Sequence, residues 1–455
     1  MRCCLAVLFS LCVWSVLPER FSLGVCQESK IAPEAIEQID FEKYFDDEAL
    51  RFELFQFGSR SESKTLLHRM VSEPIWPGNR KQLLFPFPYG RCVLRVYDQA
   101  TERLIYSYGF DTLYNEYATT KPAAEGKWRA FPISVRIPKP KSPFRIEIAI
   151  RRPDHSWEKV WEQSLRPSNP DIRHESNTLG DSVSEMQITG DPAERVDLVF
   201  LAEGYSKSEQ DKFRADAERM MQFMFETEPY RSHRQRFNIR SVFRPSSESG
   251  VDEPDKHRYR NSVLNSSFQT LGVDRYLLTE EGHTLHQYAA QVPYDSIIVL
   301  VNTSRYGGGA ICMDFCITAV DDPWSLPVFL HEFGHSFAYL ADEYVGSVPY
   351  NEIYPEGVEP VEPNITRSLD RKSLKWNSML TEEVPLPTRL SPDQIGSEVS
   401  DIVGAFEGGG YIKEGMFRPQ KNCAMGNIQT PFRYCIVCRH AIEQMIDYHA
   451  PMSSD

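Results

Sequence analysis

The chain has 455 residues, of which 41% are hydrophobic and 25% charged, and this length allows two or three domains with cores of their own. Its net charge of -14 at pH 7 argues against nucleic acid or an anionic membrane surface as a partner. Residues 1–26 combine a positive Arg2, a short apolar run and small residues near the end, as a signal peptide does. We therefore expect an exported protein, secreted, periplasmic or at the cell surface, with no membrane span in the mature chain.

The cysteines beyond the predicted signal peptide bear on the same expectation. Export favours disulfides, with Cys423 joined to Cys435 or Cys438, and Cys312 joined to Cys316 or to a more distant thiol. The spacing Cys435-x-x-Cys438 also permits a structural zinc site, although one such pair is a weak signal.

Residues 27–166 are predicted to form an all-β, sandwich-like N-terminal domain. Segments of strand composition, separated by Pro and Gly, lie at residues 82–87, 92–97, 104–108 and 144–150. They carry no catalytic constellation, which favours a packing or positioning module over one that binds a partner or a glycan. The polar residues 167–190 are predicted to be a linker.

Residues 191–455 change to a strand-helix-strand rhythm, which predicts an α+β domain with a mixed sheet. Ser206 and Glu209 have the spacing of a capping box, so we expect a helix to begin there. His283 and His286 lie in a polar segment and are predicted to be surface residues. Buried strands are indicated at residues 196–202 and 296–301, and residues 237–243 alternate as a strand does.

The most informative motif is His331-Glu332-Phe333-Gly334-His335, which lies in an apolar stretch, residues 326–340, predicted to be a helix. Residues four apart share one face of a helix, so both imidazoles can reach one Zn²⁺. Glu332 stands beside them, where its carboxylate can take a proton from a metal-bound water. The motif predicts a catalytic metal centre. The alternative is a helix whose histidines are merely capped or exposed.

A catalytic zinc needs a third protein ligand and one open position. Asp342 is the leading candidate, but on a straight helix it would stand roughly 10 Å along the axis from His335. We therefore expect the chain to turn between residues 339 and 341. Glu343 and Glu407 are the alternative third ligands. Helix-end hydrogen bonds or a structural Ca²⁺ would also explain Asp342 and Glu343.

A glycine-rich turn leads into an apolar strand, residues 310–317, just before this helix. In zinc peptidases an exposed edge strand beside the active-site helix holds the substrate extended, as an added strand. We predict that substrate-binding role for Gly309, Ala310, Ile311 and Cys312. The alternative is an ordinary internal strand held by a local disulfide.

The stretch from His331 to Tyr344 resembles the signature of the IgA-specific metallopeptidase family, family 64 of the metallopeptidases. The resemblance continues through Asn364-Ile365-Thr366, Lys375-Trp376, Gly404 to Tyr411, Phe417-Arg418-Pro419 and Cys423-Ala424-Met425. It covers residues 197–448, and the β domain before them resembles the family's N-terminal domain more loosely. The resemblance implies a zincin or metzincin-like catalytic fold, with zinc on His331, His335 and Asp342 and with Glu332 as the general base.

Further residues are placed near this centre. Tyr339 stands where the family often has a small residue such as Gly. Met425 is predicted to form a Met-turn, an apolar floor under the ligands, and a plain buried Met is the alternative. A transition-state oxyanion needs a donor besides the metal, and the sequence leaves three candidates open, namely Tyr344, Tyr411 and Tyr434.

Together these features predict a zinc endopeptidase with one catalytic Zn²⁺ that cleaves protein or peptide substrates. Two alternative functions stay open: an exported binding protein with a structural metal site, and a zinc hydrolase acting on cell-wall peptide or glycopeptide. A purely structural site has no use for Glu332, which argues against the first. The sequence indicates neither the oligomeric state nor the natural substrate.

Overall fold

The structure is a computed structural model that describes residues 38–174, 181–346, 353–389, 401–428 and 432–451. The predicted signal peptide, residues 1–26, lies outside these ranges. None of the helices within them is long and apolar enough to cross a bilayer. The described chain is a mixed α+β protein with several sheets and few helices, which agrees with the predicted α+β class.

The N-terminal part contains two four-stranded sheets. Its elements are α1 (Phe41–Tyr44), β1 (Phe45–Gly58), β2 (Ser63–Glu73), β3 (Cys92–Asp98), β4 (Leu104–Phe110), α2 (Leu113–Ala118), α3 (Lys121–Ala124), β5 (Arg129–Pro140), β6 (Phe144–Arg151), β7 (Trp157–Leu165) and β8 (Ile172–His174). One sheet has the order β5-β1-β2-β8 and the other β4-β3-β6-β7. Side chains of both contribute to one apolar cluster, in which the rings of Phe52 and Trp161 lie 6.2 Å apart.

Buried charges are a feature of the long β1–β2 hairpin that the sequence does not indicate. Arg51 donates to Glu73 over 2.7 Å and to Glu53 over 2.5 Å, and all three side chains are buried. Residues 50–54 alternate apolar and charged side chains, which predicts a strand with one exposed face. That charged face is buried here, and the pairing of the charges offsets the hydration that they lose.

Two other segments near these sheets have a structure that differs from the one their composition predicts. Residues 82–87 form no strand but only an isolated bridge at Leu84, because Pro86 has no N–H for a ladder. The segment predicted to be a linker, residues 167–190, contains β8 and also β9 (Ser182–Gln187). Both are short strands at sheet edges, and their polar residues give them the composition of a loop.

The second part is built around a six-stranded mixed sheet. Its strands besides β9 are β10 (Val196–Glu203), β11 (Phe237–Phe243), β12 (Ser296–Val301), β13 (Gly308–Ile311) and β14 (Phe315–Ala319). Their order is β13-β14-β12-β10-β11-β9, with four parallel inner strands and an antiparallel strand at each edge. The mixed sheet and the three predicted strands, which are β10, β11 and β12, are confirmed, and β11 is buried along its whole length although its sequence alternates.

Helices flank this sheet. The second part contains α4 (Gln210–Glu226), α5 (Gly282–Ala289), α6 (Ser325–Ala338) and α7 (Ile436–His449), with a hairpin of β15 (Phe406–Gly409) and β16 (Ile412–Arg418). The predicted capping box is present ahead of α4, where Ser206 N–H donates to the Glu209 carboxylate over 2.7 Å. On α6, Phe329, Phe333 and Phe337 form a stacked apolar row with centroid spacings of 6.1 and 5.0 Å. The histidines therefore lie on another face of the helix.

The two parts meet along a contact that the sequence pattern does not reveal. They belong to one compact unit that begins at Ile39. At the contact, His286 is buried and bonds to Asp314 over 2.9 Å, and His283 bonds to the Leu54 carbonyl over 2.8 Å. The prediction that both histidines are surface residues is wrong, because Tyr294 and Asp314 of the second part bond to His286, and Phe55 and His68 of the N-terminal part pack against His283.

Candidate metal centre

Helix α6 ends in a left-handed turn shortly after the second histidine of the motif. Tyr339 has φ 54° and ψ 32°, and its N–H donates to the His335 carbonyl over 3.2 Å. The Leu340 N–H donates to the Gly334 carbonyl over 3.3 Å. These bonds satisfy carbonyls that a helix end leaves unpaired. The turn predicted from the sequence is present: it reverses the chain and brings Asp342 back beside the helix.

Three side chains converge beside this turn. The Nε2 atoms of His331 and His335 lie 3.2 Å from each other, and 3.0 and 3.5 Å from Asp342 Oδ1. A tetrahedral zinc with bonds of about 2.0–2.2 Å has ligand atoms about 3.3–3.6 Å apart. The spacing of the three atoms therefore fits the ligands of one zinc ion, with Asp342 in the third place.

Backbone carbonyls fix the orientation of both imidazoles. Nδ1 of His331 lies 3.0 Å from the Ala424 oxygen, and Nδ1 of His335 lies 2.5 Å from the Leu340 oxygen. A carbonyl only accepts, so each neutral ring has its proton on Nδ1 and a lone pair on Nε2. Asp342 Oδ1 is buried and has no hydrogen-bond donor among the described residues. Three acceptor atoms thus face one another, and a metal cation fits that arrangement.

Burial and pairing set the charges of this site in the absence of metal. Burial disfavours the charged form of Asp342 and by itself would raise its pKa. The attraction of the two imidazoles is stronger and holds the pKa of the carboxyl well below its usual range. Burial also opposes the charge on His335, but the Asp342 carboxylate outweighs it and raises the pKa of the imidazole to about 9. Burial raises the pKa of Glu332 against the opposite effect of the imidazoles. Glu332 is therefore more basic than an exposed glutamate.

We expect the metal-free protein to lose stability as the pH rises from about 6.5 to about 9. The folded protein binds the His335 proton more tightly than the unfolded chain does. The stability that this proton contributes is therefore complete below the unfolded pKa and is lost as the pH passes the folded pKa. Melting temperatures of chelator-treated protein across this range measure the effect. The variant Asp342→Asn lacks the partner charge and should show a flatter curve, and an unchanged slope would contradict the pairing.

Residues of the N-terminal part hold the turn in place. The Tyr339 ring stacks on Tyr89, with centroids 5.3 Å apart and planes at 8°, and its hydroxyl lies 3.4 Å from Asp111 Oδ2. A left-handed conformation costs a residue other than glycine about 1–2 kcal/mol. These contacts offset that cost, which explains how a large side chain occupies a place where glycine is common.

The structure places the two alternative third ligands elsewhere. Glu343 faces away from the histidines, and its Oε1 accepts from Asn364 over 2.9 Å and lies 3.1 Å from Cys438 Sγ. Glu407 is exposed on β15, where its carboxylate accepts from the Gly415 N–H over 3.3 Å.

Met425 lies directly against the metal-site helix. It is fully buried, and its Sδ would stand 3.0 Å from a Cβ added at Gly334. Glycine at position 334 therefore permits the close approach of the loop to α6. Ala424 in the same loop supplies the carbonyl that orients His331. The loop thus lies where a Met-turn is predicted.

The glycine-rich strand before α6 is a hairpin rather than one strand. The segment predicted as a strand, residues 310–317, is divided between β13 and β14, because Met313 adopts a left-handed conformation with φ 60° between them. β13 is an edge of the six-stranded sheet and packs beside α6. Among the predicted substrate-binding residues, Ala310 and Cys312 line a cleft that also contains the three converging side chains. Gly309 and Ile311 alternate with them along the chain and do not line the cleft.

The cleft has a volume of about 910 Å³, at the upper end of the range for ligand sites. Its floor contains Glu332 and the three converging side chains. Both parts of the chain form its walls, with Arg91 and Asp111 from the first and Tyr306 and Tyr344 from the second.

The three candidate tyrosines differ in their hydrogen bonds. Tyr411 donates to the Asp342 carboxylate, and Tyr434 is buried and donates to the Leu330 carbonyl. Tyr344 lines the cleft, and its hydroxyl accepts from the Arg275 guanidinium over 3.0 Å.

Comparison with known families matches both parts of the chain. The family description "IgA Peptidase M64" matches residues 184–402 and 395–446, and "Peptidase M64 N-terminus" matches residues 40–162. The chain belongs to the M64 peptidase family. The resemblance seen in the sequence is thereby confirmed, and the protein is a peptidase of a metallopeptidase family. A search among curated proteins gives no match.

The disulfides predicted for this M64 peptidase are not found among the residues that the structure describes, whose six cysteines are free. The Sγ atoms of Cys423 and Cys438 lie 3.6 Å apart, against about 2.05 Å in a disulfide. Cys316 is buried in the core beside α6, whereas Cys312 lines the cleft.

One cleft residue of this M64 member, Arg275, was missed by sequence reasoning. It belongs to no motif, and its loop reaches the cleft through a backbone bond, in which Gly308 N–H donates to the Arg275 carbonyl over 3.4 Å. Only the three-dimensional pairing of this loop with β13 brings the guanidinium to Tyr344.

Proposed function

We propose that this M64 peptidase is an exported zinc endopeptidase that hydrolyses internal peptide bonds of protein substrates. The observation that carries the proposal is the convergence of His331, His335 and Asp342 beside Glu332 in an open cleft. Three nitrogen and oxygen ligands are typical of a catalytic zinc, because they leave the fourth position open. The exported location is supported by the signal-peptide pattern of residues 1–26.

The chain's own residues account for the binding and the proton transfers. His331, His335 and Asp342 would hold the zinc, which when bound lowers the pKa of a water and polarises the substrate carbonyl. Glu332 accepts a proton from the attacking water on its carboxylate and delivers it to the leaving amine. Burial raises the pKa of this carboxyl, which favours the protonated form that the second transfer requires.

Strand β13 would align the substrate as an added strand. Leu277 N–H donates to the Gly308 carbonyl over 3.1 Å, so the backbone groups of Gly308 point away from β14. Inward and outward groups alternate along an antiparallel strand, so the backbone groups of Ala310 point outward as well. Ala310 lines the cleft, where an extended peptide can bond to it.

Tyr344 is the tyrosine best placed to donate to the oxyanion. Tyr411 and Tyr434 each donate to a protein oxygen, whereas the Tyr344 hydroxyl accepts from Arg275 and keeps its own proton to donate. Burial and the nearby Asp342 carboxylate raise the pKa of the Tyr344 hydroxyl, and the positive charge of Arg275 acts in the opposite direction because it stabilises negative charge on the oxygen.

We expect Tyr344→Phe to lower kcat by about 100-fold and to leave KM within about threefold of the parent value. The phenyl ring keeps the packing and removes only the hydroxyl. Steady-state kinetics on a single peptide substrate separate the two constants. Tyr259→Phe is the matched control, because Tyr259 is 64% exposed and lies outside the cleft. A parent-like kcat for Tyr344→Phe would remove this tyrosine from the mechanism.

A zincin or metzincin-like catalytic fold is part of the same proposal. It is supported by the mixed sheet with an antiparallel edge strand beside α6 and by Met425 under that helix. The N-terminal part is proposed to act as a positioning module, because Tyr89 and Asp111 contact the turn that carries Asp342 to the site.

Metal analysis of the purified mature protein, run beside cleavage of casein and of a peptide library, tests the function. Cleavage at internal bonds that a chelator stops and added zinc restores would support the proposal. Bound zinc with no cleavage of either substrate would favour a binding protein with a structural metal site. Cleavage that survives complete removal of metal would overturn the mechanism.

A further inference from the structure

Asp342 and Glu343 are adjacent in the chain, but their carboxylates contact different groups. Asp342 joins the two histidines, whereas Glu343 reaches a cluster of three thiols from Cys423, Cys435 and Cys438. All four cluster residues are buried, and their ligand atoms lie within 4.8 Å of one another. The catalytic proposal uses none of these four side chains.

Distances in this cluster match those of a closed tetrahedral metal site. The Sγ atoms of Cys423 and Cys438 are 3.6 Å apart, and Glu343 Oε1 lies 3.1 Å from Cys438 Sγ and 4.0 Å from Cys435 Sγ. Zinc bonds of about 2.3 Å to sulfur place two sulfur ligands about 3.8 Å apart, and a sulfur and an oxygen about 3.5 Å apart. These three distances are therefore within about half an ångström of the required values, and no pair of ligand atoms in the cluster is more than 4.8 Å apart.

A second observation also indicates that the cluster binds a cation. Glu343 is 1% exposed, and its Oε2 has no hydrogen-bond partner among the described residues. Burying a carboxylate oxygen without a partner is costly, and a cation at the cluster would compensate for it. Asn364 donates to the other oxygen, Oε1, over 2.9 Å and fixes the orientation of the carboxylate.

We propose that Glu343, Cys423, Cys435 and Cys438 form a second, structural zinc site. Three sulfur ligands suit a borderline-soft cation such as zinc and not Ca²⁺, which prefers oxygen. With four protein ligands the site is closed, so it binds no substrate and supports the fold. A single disulfide would use only two of the three thiols and would leave the third beside a buried carboxylate.

Helix α7 is placed to stabilise thiolates at this site. The helix runs over Ile436–His449, and Cys435 is its N-cap residue. The Cys435 N–H donates to Cys423 Sγ over 3.3 Å, and the Cys438 N–H donates to Cys435 Sγ over 3.4 Å. Backbone donors at a helix N-terminus favour the negative charge that sulfur ligands carry when a metal is bound.

The second site would hold the loop that orients the catalytic ligands. Cys423 precedes Ala424, whose carbonyl accepts from His331, and Glu343 N–H donates to the Met425 carbonyl over 2.8 Å. Metal at the thiol cluster therefore ties α7, this loop and the segment after Tyr339 together. It also explains why thiols of an exported protein stay unpaired, because metal-bound thiolates are protected from oxidation.

The test measures metal in the intact chain with each site altered in turn. The variant His331→Ala with His335→Ala removes the proposed catalytic ligands and leaves the cluster untouched. It should lose cleavage and about one zinc per chain, and keep about one zinc. Replacing that remaining zinc with cobalt should give sulfur-to-metal charge-transfer absorption, which histidine and carboxylate ligands do not produce.

Variants of the cluster complete the experiment. Cys435→Ser with Cys438→Ser should lose the cobalt–sulfur absorption and lower the melting temperature, whereas Cys92→Ser, at a buried thiol outside the cluster, should keep both. The double-histidine variant decides the matter even if the cysteine variant fails to fold. Absence of zinc and of sulfur absorption in it would overturn the proposal. So would peptide mapping by mass spectrometry that finds Cys423, Cys435 or Cys438 in a disulfide. Neither result affects the catalytic proposal, which is judged by cleavage.

Discussion

Glu332→Gln is expected to remove nearly all turnover while the zinc stays bound. The amide keeps the shape of the side chain but does not accept the proton of the attacking water. General acid–base catalysis by a positioned side chain contributes about 10²–10⁴-fold, so kcat should fall by that factor. Glu332 is not among the three converging ligand atoms, and the metal content should therefore equal that of the parent. Kinetics on one peptide and zinc analysis of the same preparation measure both quantities.

A matched substitution on the surface distinguishes this effect from a general loss of charge. Glu414 has a side chain that is 81% exposed on β16, and Glu414→Gln should leave kcat, KM and zinc content unchanged. Glu332→Gln with parent-like cleavage would show that another residue moves the proton. A variant that has lost its zinc would instead show that Glu332 helps to bind the metal.

Asp342→Asn is expected to weaken the catalytic zinc site and, with it, cleavage. The amide oxygen is a neutral and poorer ligand, and the two Nε2 atoms that lie 3.0 and 3.5 Å from the carboxylate lose their charged partner. Loss of a residue that merely supports a ligand costs about 10–100-fold in metal affinity, so loss of a ligand should cost at least about 100-fold. Zinc titration against a competing chelator gives the affinity, and excess zinc should restore part of the activity.

Asp211→Asn is the control for this variant, because the Asp211 side chain is 96% exposed on α4. It should bind zinc and cleave peptides as the parent does. If Asp342→Asn also binds zinc with parent affinity, the third ligand comes from elsewhere in the chain. The convergence at Asp342 would then be an ion pair with the histidines and no more.

The convergence of His331, His335 and Asp342 was largely predictable because its signals are local. The motif from His331 to His335 depends only on helical spacing, and the expected turn before Asp342 follows from the length of a straight helix. The capping box at Ser206 and the buried strands around it are local signals of the same kind, and the structure contains them.

What remained hidden depends on contacts between residues distant in sequence. Arg275 reaches Tyr344 through a loop that has no motif, and Glu343 meets thiols that are about 80–95 positions further along the chain. The disulfides were predicted only because an exported protein was expected. The spacing of Cys435 and Cys438 did not indicate that Glu343 lies beside these thiols. The alternation around Arg51 predicts that its charged face is exposed, whereas contacts with distant residues such as Glu73 bury it.

Because Tyr339 contacts Tyr89 and Asp111, the second part of the chain depends on the N-terminal part for the turn before Asp342. We expect the two parts to evolve together, and engineered variants should keep them together. A fragment that begins at residue 167 would carry every proposed ligand of the metal but not the surface that holds the turn before Asp342. A chimera with another member's N-terminal half would need an aromatic ring and an acceptor at the same two places. A cut by another protease within the first sheets would inactivate the enzyme although every catalytic residue stayed intact.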